Sequence, residues 1–397
     1  MKNQISQVLY ISLDGIMEPL GQSQILKYQE KLSKKYEINL ISFEKSNDLN
    51  NDKLLNRTKK RCSDSHINWY KVKYRSGYLG LGQIINVLNL LFVPLFIFIK
   101  KNISIVHIRS YMPGIFLPIH SLFFKFYLIF DIRGFWADEK HDRLHWKKHS
   151  LKYKLFKKLE RYLMNKASYV VTLTKSSKNI ISRNFNKSTA AIKVIPTCVD
   201  FNEFKRIEIS KTSHQITIGY LGSVDTAYDF NKFCFFVSQL QNSYKHQINL
   251  KIFTKQNFDD VMNLIDIKNF ERLNVDIRFV DRENLPKEIA SFDCLAFCLK
   301  ENFSINASMP TKIAESLSCG IPLVCNSFNS DIHELIKSNN IGLVYNFSDY
   351  FDKGCCGTLF CFHYFDQAII FRPTPSLLLW AKIPTHENKN SIKSKTS

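Results

Sequence analysis

Ser308-Met309-Pro310-Thr311-Lys312-Ile313-Ala314-Glu315-Ser316-Leu317-Ser318-Cys319-Gly320-Ile321-Pro322 runs directly into the apolar triplet Leu323-Val324-Cys325. The pattern predicts a short helix followed by a buried strand. Ser308 can cap the helix start, Pro310 suits a first turn because its missing N–H would be unpaired there anyway, and Gly320 with Pro322 ends the helix. A helix start leaves about four backbone N–H groups unpaired, and these attract negative charge. Lys312 adds a full positive charge, and Glu315, one turn after Thr311, shares its face. N–H groups, a cation and a carboxylate on one face suit a nucleotide diphosphate joined to a sugar. An ordinary crossover helix carrying a surface Lys312–Glu315 pair has the same spacing, and such a pair is worth only about 0.2–0.5 kcal/mol.

On either side of this segment the same alternation of strand and helix fills most of the chain. Gln7–Ser12 is an apolar run ending in a Gly/Pro-punctuated loop, Leu13 to Gly21. Helical spacing follows from Ile25 to Lys35, then a strand at Ile38–Ser42. Further strands are expected at Ser104–Ile108, Tyr127–Ile132 and Tyr169–Leu173. The rhythm breaks at Ile195-Pro196-Thr197-Cys198-Val199-Asp200 and resumes with Ile216-Thr217-Ile218-Gly219-Tyr220-Leu221-Gly222-Ser223. Leu250–Thr254, Val275–Val280, Cys294–Cys298 and Leu323–Cys325 complete a second series. This is α/β architecture: two Rossmann-like, doubly wound parallel-sheet domains, residues 1–198 and 205–348, facing a cleft. Ligands in such sheets bind beyond the carboxyl ends of the strands. Neither half carries G-x-G-x-x-G after a strand, which weakens a dehydrogenase reading.

Composition narrows the partners. With 55 Lys+Arg against 35 Asp+Glu in 397 residues, an anionic ligand or an anionic membrane surface is expected. Zinc-finger spacing, RNP-like motifs and arginine-rich tracts are missing, so no nucleic-acid partner is expected. The start Met-Lys-Asn-Gln-Ile-Ser has no apolar run of a signal peptide, so the ten cysteines are expected to be reduced thiols of a cytosolic protein. Cys294 and Cys298 fit a core strand better than a metal site, and no structural metal is expected.

Two apolar stretches stand apart. Ile84–Ile99 holds Asn86, Asn89 and Pro94 and falls short of the roughly 20 residues of a membrane span. Gly114–Phe130 is interrupted by His120 and Lys125; a helix packed in the core is the plain reading of both stretches, slightly more so of this one. Either could lie at a membrane interface, with Lys71, Lys73, Arg75, Lys100 and Lys101 near the first available to phosphate headgroups. Leu151–Lys166 predicts an amphipathic helix with Leu151, Leu155, Leu159, Tyr162 and Leu163 as its apolar stripe. Lys152, Lys154, Lys157, Lys158 and Arg161 take the other faces.

The run Pro-Thr-Lys-Ile-Ala-Glu-Ser-Leu-Ser-Cys-Gly-Ile-Pro resembles the donor-binding segment of glycosyltransferase family 4, whose fold is GT-B. The resemblance extends over about residues 7 to 347. It implies a retaining glycosyltransferase that takes its sugar from a nucleotide sugar, UDP-linked by expectation, with no cofactor and no bound metal. Ser308, Pro310, Thr311 and Lys312 would then hold the diphosphate, Lys312 would stabilise the leaving group, and Glu315 would hold the ribose. Leu13-Asp14-Gly15 and Pro19-Leu20-Gly21-Gln22-Ser23-Gln24 resemble the first loop of the amino-terminal domain, so Gly15 and Gly21 are expected beside donor and acceptor. Gly222-Ser223 with Tyr228 resembles the Gly-rich turn beneath the diphosphate. Two departures matter: Ser223 stands where many members have Arg, and Ala307, eight before Glu315, where many have a first Glu. Arg109-Ser110-Tyr111 and Asp131-Ile132-Arg133-Gly134-Phe135-Trp136-Ala137-Asp138-Glu139 follow strands, and the second is similar to a subgroup from bacterial surface-polysaccharide pathways. Arg133 and Asp138 are expected to contact the acceptor or the transferred sugar. A plain Asp131–Arg133 salt bridge is the alternative, since both side chains would point the same way on an extended strand. The resemblance further implies a lipid-linked glycan acceptor in capsule or lipopolysaccharide synthesis and a cytoplasmic protein peripheral on the inner face of the cell membrane. The rivals are a nucleotide-sugar 2-epimerase of the same fold and an inactive remnant that only binds nucleotide.

From about residue 349 the resemblance stops. Cys355-Cys356-Gly357, Cys361 and Phe371-Arg372-Pro373-Thr374-Pro375 replace the helices that normally end the family. Residues 349–397 are therefore read as an atypical tail, from a shifted reading frame or an unrelated replacement, with a tailored extension as the lesser alternative; a shifted frame would leave the enzyme poorly active. A family-like helical ending in the alternative frame of the DNA is the expected finding.

Overall fold

The computed structural model describes residues 6–76, 80–209, 215–224, 226–243, 247–265, 273–326 and 328–345. The tail lies outside them. The chain divides between Ile195 and Pro196 into two compact units.

The amino-terminal unit is built on seven parallel strands: β1 (Gln7–Ser12), β2 (Glu37–Glu44), β3 (Ile67–Lys73), β4 (Ile103–Arg109), β5 (Tyr127–Asp131), β6 (Tyr169–Thr172) and β7 (Ile192–Val194). Their spatial order is β3-β2-β1-β4-β5-β6-β7. The central strands are near-continuous apolar runs because helices cover both faces of the sheet. Leu9, Ile11, Leu40, Ile41, Val106, Ile108 and Phe130 are all fully buried. Edge strand β3 was not expected from sequence; its burial alternates, and Lys71 and Lys73 point to water. The unit's helices include α1 (Leu81–Lys100), α2 (Leu117–Phe123), α3 (Trp136–Leu144) and α4 (Leu151–Lys166).

The carboxyl-terminal unit repeats the plan with six parallel strands: β8 (Ile216–Leu221), β9 (Ile248–Phe253), β10 (Asn274–Arg278), β11 (Cys294–Phe297), β12 (Leu323–Asn326) and β13 (Gly342–Tyr345). Their order is β10-β9-β8-β11-β12-β13. Between β11 and β12 runs the helix α5 (Thr311–Ser318). In each unit the chain winds one way from the first strand and then returns to its other side, so β1/β4 and β8/β11 are switch points. The loops leaving those four strands are where side chains can meet a ligand.

Several expectations are corrected. The loop before Ile25 ends early, because helical backbone starts at Pro19 and passes through a π-turn, Gln22–Leu26. Gly114–Phe130 is no single core element. It breaks into a short 3-10 turn, α2 and β5, and leaves Leu122 and Phe123 exposed. The stretch around Ile84–Ile99 is longer than its apolar residues suggested: α1 has 20 residues, enough to cross a membrane by length and composition, and Pro94 sits inside it on the buried side. On α4 the inward face is rotated from the leucine stripe. Glu160, Leu163 and Met164 are buried while Leu151 and Leu155 are exposed. The rotation follows from Lys157, which turns inward to buried carboxylates instead of outward to water.

Candidate functional site

At the β8/β11 switch the predicted residues come together. Gly222 follows β8 with φ of 107°, a left-handed conformation that suits glycine, and its N–H donates to the Phe253 carbonyl at 2.9 Å. A Cβ on Gly222 would lie 3.7 Å from Lys312 Nζ, so the turn and the lysine face each other. Lys312 is buried, and its Nζ has no hydrogen-bond partner. Instead it is ringed by aromatic faces: the Tyr228 centroid at 3.6 Å, Tyr220 at 4.8 Å and Phe297 at 5.1 Å. Burial pushes the Lys312 ammonium down to about 7, with Glu315 acting weakly the other way. A cation–π cage holds an ammonium with no counter-ion, leaving its hydrogen-bond donors for an incoming anion.

Lys312 and Glu315 do not form the surface pair that spacing allowed. Both are buried, and Glu315 Oε1 accepts from Arg282 Nη1 at 3.0 Å. Burial raises the Glu315 carboxyl above its ordinary range, and Arg282 opposes that. Glu315 Oε2 has no hydrogen bond among the described residues, so one oxygen stays open. Arg282 also lies 3.6 Å from Glu203 and stacks on the Phe204 ring at 4.9 Å. Sequence reading missed Arg282. Its signal was positional, since it sits just past the carboxyl end of β10.

The helix start differs from expectation. α5 begins at Thr311 with Pro310 as its cap residue and no side-chain cap. Ser308 lies in the linker from the 3-10 turn Phe303–Ala307, and its carbonyl accepts from Asn329. Thr197 Oγ1 donates to the Met309 carbonyl at 2.5 Å, fixing the segment that precedes the helix. Ser223, standing where Arg was to be expected, is bonded to Thr226, and its carbonyl accepts from Tyr220 at 2.7 Å. It adds no positive charge, which leaves Lys312 as the cation at this turn.

At the β1/β4 switch a second cluster forms. Arg109 is buried, with Nε 3.1 Å from Asp14 and Nη1 3.6 Å from Asp131. Arg133 Nη1 approaches the same Asp131 at 3.8 Å. Asp131 Oδ1 is buried without a hydrogen bond. The extended geometry assumed for Asp131–Arg133 is not what holds them: β5 ends at Asp131, and Arg133 is left-handed with φ of 55°. Ser110, after β4, is likewise left-handed at 66°. Such backbone costs roughly 1–2 kcal/mol per non-glycine residue, and such strain clusters at functional sites.

Asp138 is not free to meet a sugar. It is buried at the start of α3, where its oxygens accept from Tyr153 at 2.7 Å and Lys157 at 3.1 Å, and Lys157 continues to Glu160 at 2.9 Å. It is a strut between α3 and α4. The neighbouring carboxylate is less enclosed: Glu139 is half-buried, raised by burial, and its Oε1 lies 2.1 Å from where a Cβ on Gly134 would sit. Gly15 and Gly21 also face the protein. A Cβ on Gly21 would lie 1.8 Å from the Gly15 carbonyl, and one on Gly15 2.5 Å from Glu44. Glu44 accepts from the N–H groups of Ile16 and Met17 and from Ser42, so these glycines shape the loop. Among the described residues no group of three or more His, Cys, Asp or Glu could hold a metal ion.

Residues 32–203 match the model of Glycosyltransferase Family 4. No curated protein matches the chain. Solved structures of similar fold include sucrose-phosphate synthase from Thermosynechococcus elongatus, with TM-score 0.59, 12% identity and 86% of each chain covered. Anabaena Alr3699/HepE in complex with UDP-glucose has TM-score 0.57 and 14% identity, with 91% of each chain covered. The lipopolysaccharide outer core galactosyltransferase WaaB, in its apo form, has TM-score 0.55 and 14% identity over 87% of this chain and 88% of its own.

Proposed function

We propose that this chain, a glycosyltransferase of family 4 with the GT-B fold, transfers a sugar from a UDP-linked donor to a lipid-linked glycan, with retention of configuration, at the inner face of the cell membrane. The observation that carries the donor half is the pairing at the β8/β11 switch: a caged ammonium without a counter-ion beside Gly222, and a carboxylate one turn later with one oxygen open. Bond breakage at the anomeric carbon leaves its electron pair on the bridging oxygen, which places a second negative charge on the terminal phosphate of the departing diphosphate. Lys312 and the N–H groups at Thr311 and Lys312 offset that charge, and removing one such donor typically costs about 3 to 4 kcal/mol of transition-state stabilisation. Glu315 Oε2 takes ribose hydroxyls while Arg282 holds Oε1 in place.

The acceptor half rests on Arg133 and Glu139. Arg133 is held out of ordinary backbone geometry at the end of β5, and Glu139 is a carboxylate whose raised affinity for protons suits contact with a sugar hydroxyl. Solved relatives in complex with UDP-glucose support the donor class, and the surface-polysaccharide pattern around Arg133 supports a capsule or lipopolysaccharide product.

Isothermal titration with UDP, followed by a turnover assay on lipid-linked saccharides, tests the reading. UDP binding that is lost in Glu315→Ala, with sugar transfer by the unaltered chain, supports it. Binding without transfer to any acceptor favours the remnant instead.

A further inference from the structure

We propose that the outward stripe of α1, with the end of α2 beside it, is a docking surface on which the protein lies against an anionic lipid bilayer. A helix on the outside of a water-soluble unit ordinarily turns charged residues to solvent. Here Leu81, Ile84, Ile85, Leu88, Phe92, Phe96 and Ile99 recur at three- and four-residue steps and are 38 to 71% exposed. The opposite stripe, Asn86, Leu90, Pro94, Ile97 and Phe98, is buried in the unit. At 1.5 Å per residue the exposed stripe is about 27 Å long. Helix α2 widens it with Ile119, Leu122 and Phe123, all exposed. The two helices are fixed together, since His120 Nε2 donates to the Leu91 carbonyl at 3.0 Å and Phe98 stacks on Phe124 at 4.7 Å.

Charge identifies the occupant. From Ser65 to Phe130 the chain has no Asp or Glu, but it has Lys71, Lys73, Arg75, Lys100, Lys101, Arg109 and Lys125. Arg109 and Lys101 are engaged with Asp14 and Glu37, while Lys71, Lys73, Arg75, Lys100 and Lys125 are exposed. Arg75 and Lys100 stand at the two ends of α1 and Lys125 just past α2, while Lys71 and Lys73 lead up to Arg75 on β3. The Arg75 backbone is tied to the Asn86 side chain at 3.0 and 2.9 Å, and Lys100 ends α1 with its Nζ 4.3 Å over the Phe96 ring. An apolar stripe bordered by cations matches acyl chains beneath anionic headgroups. A second copy of the chain would set these cations against one another. Crossing the bilayer is disfavoured because α1 would have to abandon its buried stripe and the Asn86 bonds, so the helix lies in the interface plane.

The inference rests on the proposed function only for bringing the protein to a lipid-borne acceptor. Vesicle binding is read without donor or acceptor, so either can fail alone. The full chain is floated with vesicles of phosphatidylcholine, with and without phosphatidylglycerol, and UDP binding is measured on the same preparations. Flotation with the anionic vesicles only is expected. The Phe92→Ser/Phe96→Ser variant should bind them at least about tenfold more weakly, from the apolar area withdrawn. Lys71→Gln/Lys73→Gln should lose roughly thirtyfold on anionic vesicles. Phe92→Trp, which preserves an aromatic ring at the surface, should gain emission that brominated lipids quench. Absence of flotation, equal flotation of the serine variant, or an unquenched Trp overturns the proposal. So does a concentration-dependent dimer that the serine variant disperses without any vesicle binding.

Discussion

Lys312 gives the sharpest prediction, because its environment fixes both the direction and the pH window of an effect. Burial holds the free amine near 7, against about 10.5 for an ordinary lysine. A diphosphate arriving beside it favours the ammonium, so the amine's pKa rises on binding and the complex takes up a proton. The sign follows: binding is strongest below the free-state value and weakens as pH rises through it, by up to tenfold per pH unit. If only the ammonium form binds, the dissociation constant scales as one plus the ratio of amine to ammonium. Between pH 7 and about pH 9 it should therefore rise about 50-fold. The terminal phosphate of UDP titrates near 6, below this window, and does not contribute. Titration calorimetry in two buffers of different ionisation enthalpy reads both quantities. Proton uptake should be about one half per UDP at pH 7 and approach one near pH 8.5. Lys312→Met should bind weakly with no pH dependence over the same range. A flat profile in the unaltered chain, with no proton uptake, refutes the reasoning, because the amine would then be charged at all these pH values or remote from the phosphates.

Arg282→Ala frees Glu315 Oε1 in a buried setting, so UDP binding should weaken by about tenfold, on the scale of one charge-assisted hydrogen bond of roughly 1.5 kcal/mol, as read by the same calorimetry. Asp138→Asn strips Tyr153 and Lys157 of their shared charged acceptor. It should lower stability by about 1–3 kcal/mol in denaturant unfolding and leave UDP affinity unchanged. Gly21→Ala places a methyl 1.8 Å from the Gly15 carbonyl, and thermal unfolding should show a loss of about 1–3 kcal/mol.

The parallel sheets were legible because strands buried on both faces read as unbroken apolar runs: Val8-Leu9-Tyr10-Ile11 and Leu323-Val324-Cys325 allow no other placement in a protein of alternating elements. The edge strand β3 was not, because Ile67–Lys73 carries polar residues on one side and resembles a surface segment. On the candidate site, motif position pointed to Gly222, Lys312 and Glu315, and backbone topology alone brings them to one switch point. What motif position could not show is side-chain direction within a turn. Asp138 and Glu139 are adjacent in sequence, yet successive helical residues point about 100° apart, so one became a buried strut and the other the half-exposed carboxylate. The inward turn of Lys157 was hidden for the same reason: its partners Asp138 and Glu160 lie on two elements, and only their packing makes a lysine in the interior favourable.

Arg133 joins these observations into one argument about stability and function. At φ of 55° it occupies a conformation that glycine adopts without penalty, and Gly134 follows it directly. A side chain kept there is explained by what its guanidinium does, either as partner to Asp131 or as contact to an acceptor. Arg133→Gly separates the two. Asp131 retains Arg109 at 3.6 Å, so the loss of the 3.8 Å contact from Arg133 is small, while relief of the backbone is worth about 1 kcal/mol. Thermal unfolding should therefore be unchanged or raised by a few degrees, with transfer to the acceptor lost and UDP binding intact. A melting temperature that falls instead would mean that the guanidinium serves chiefly to hold Asp131, and Arg133 would leave the acceptor site.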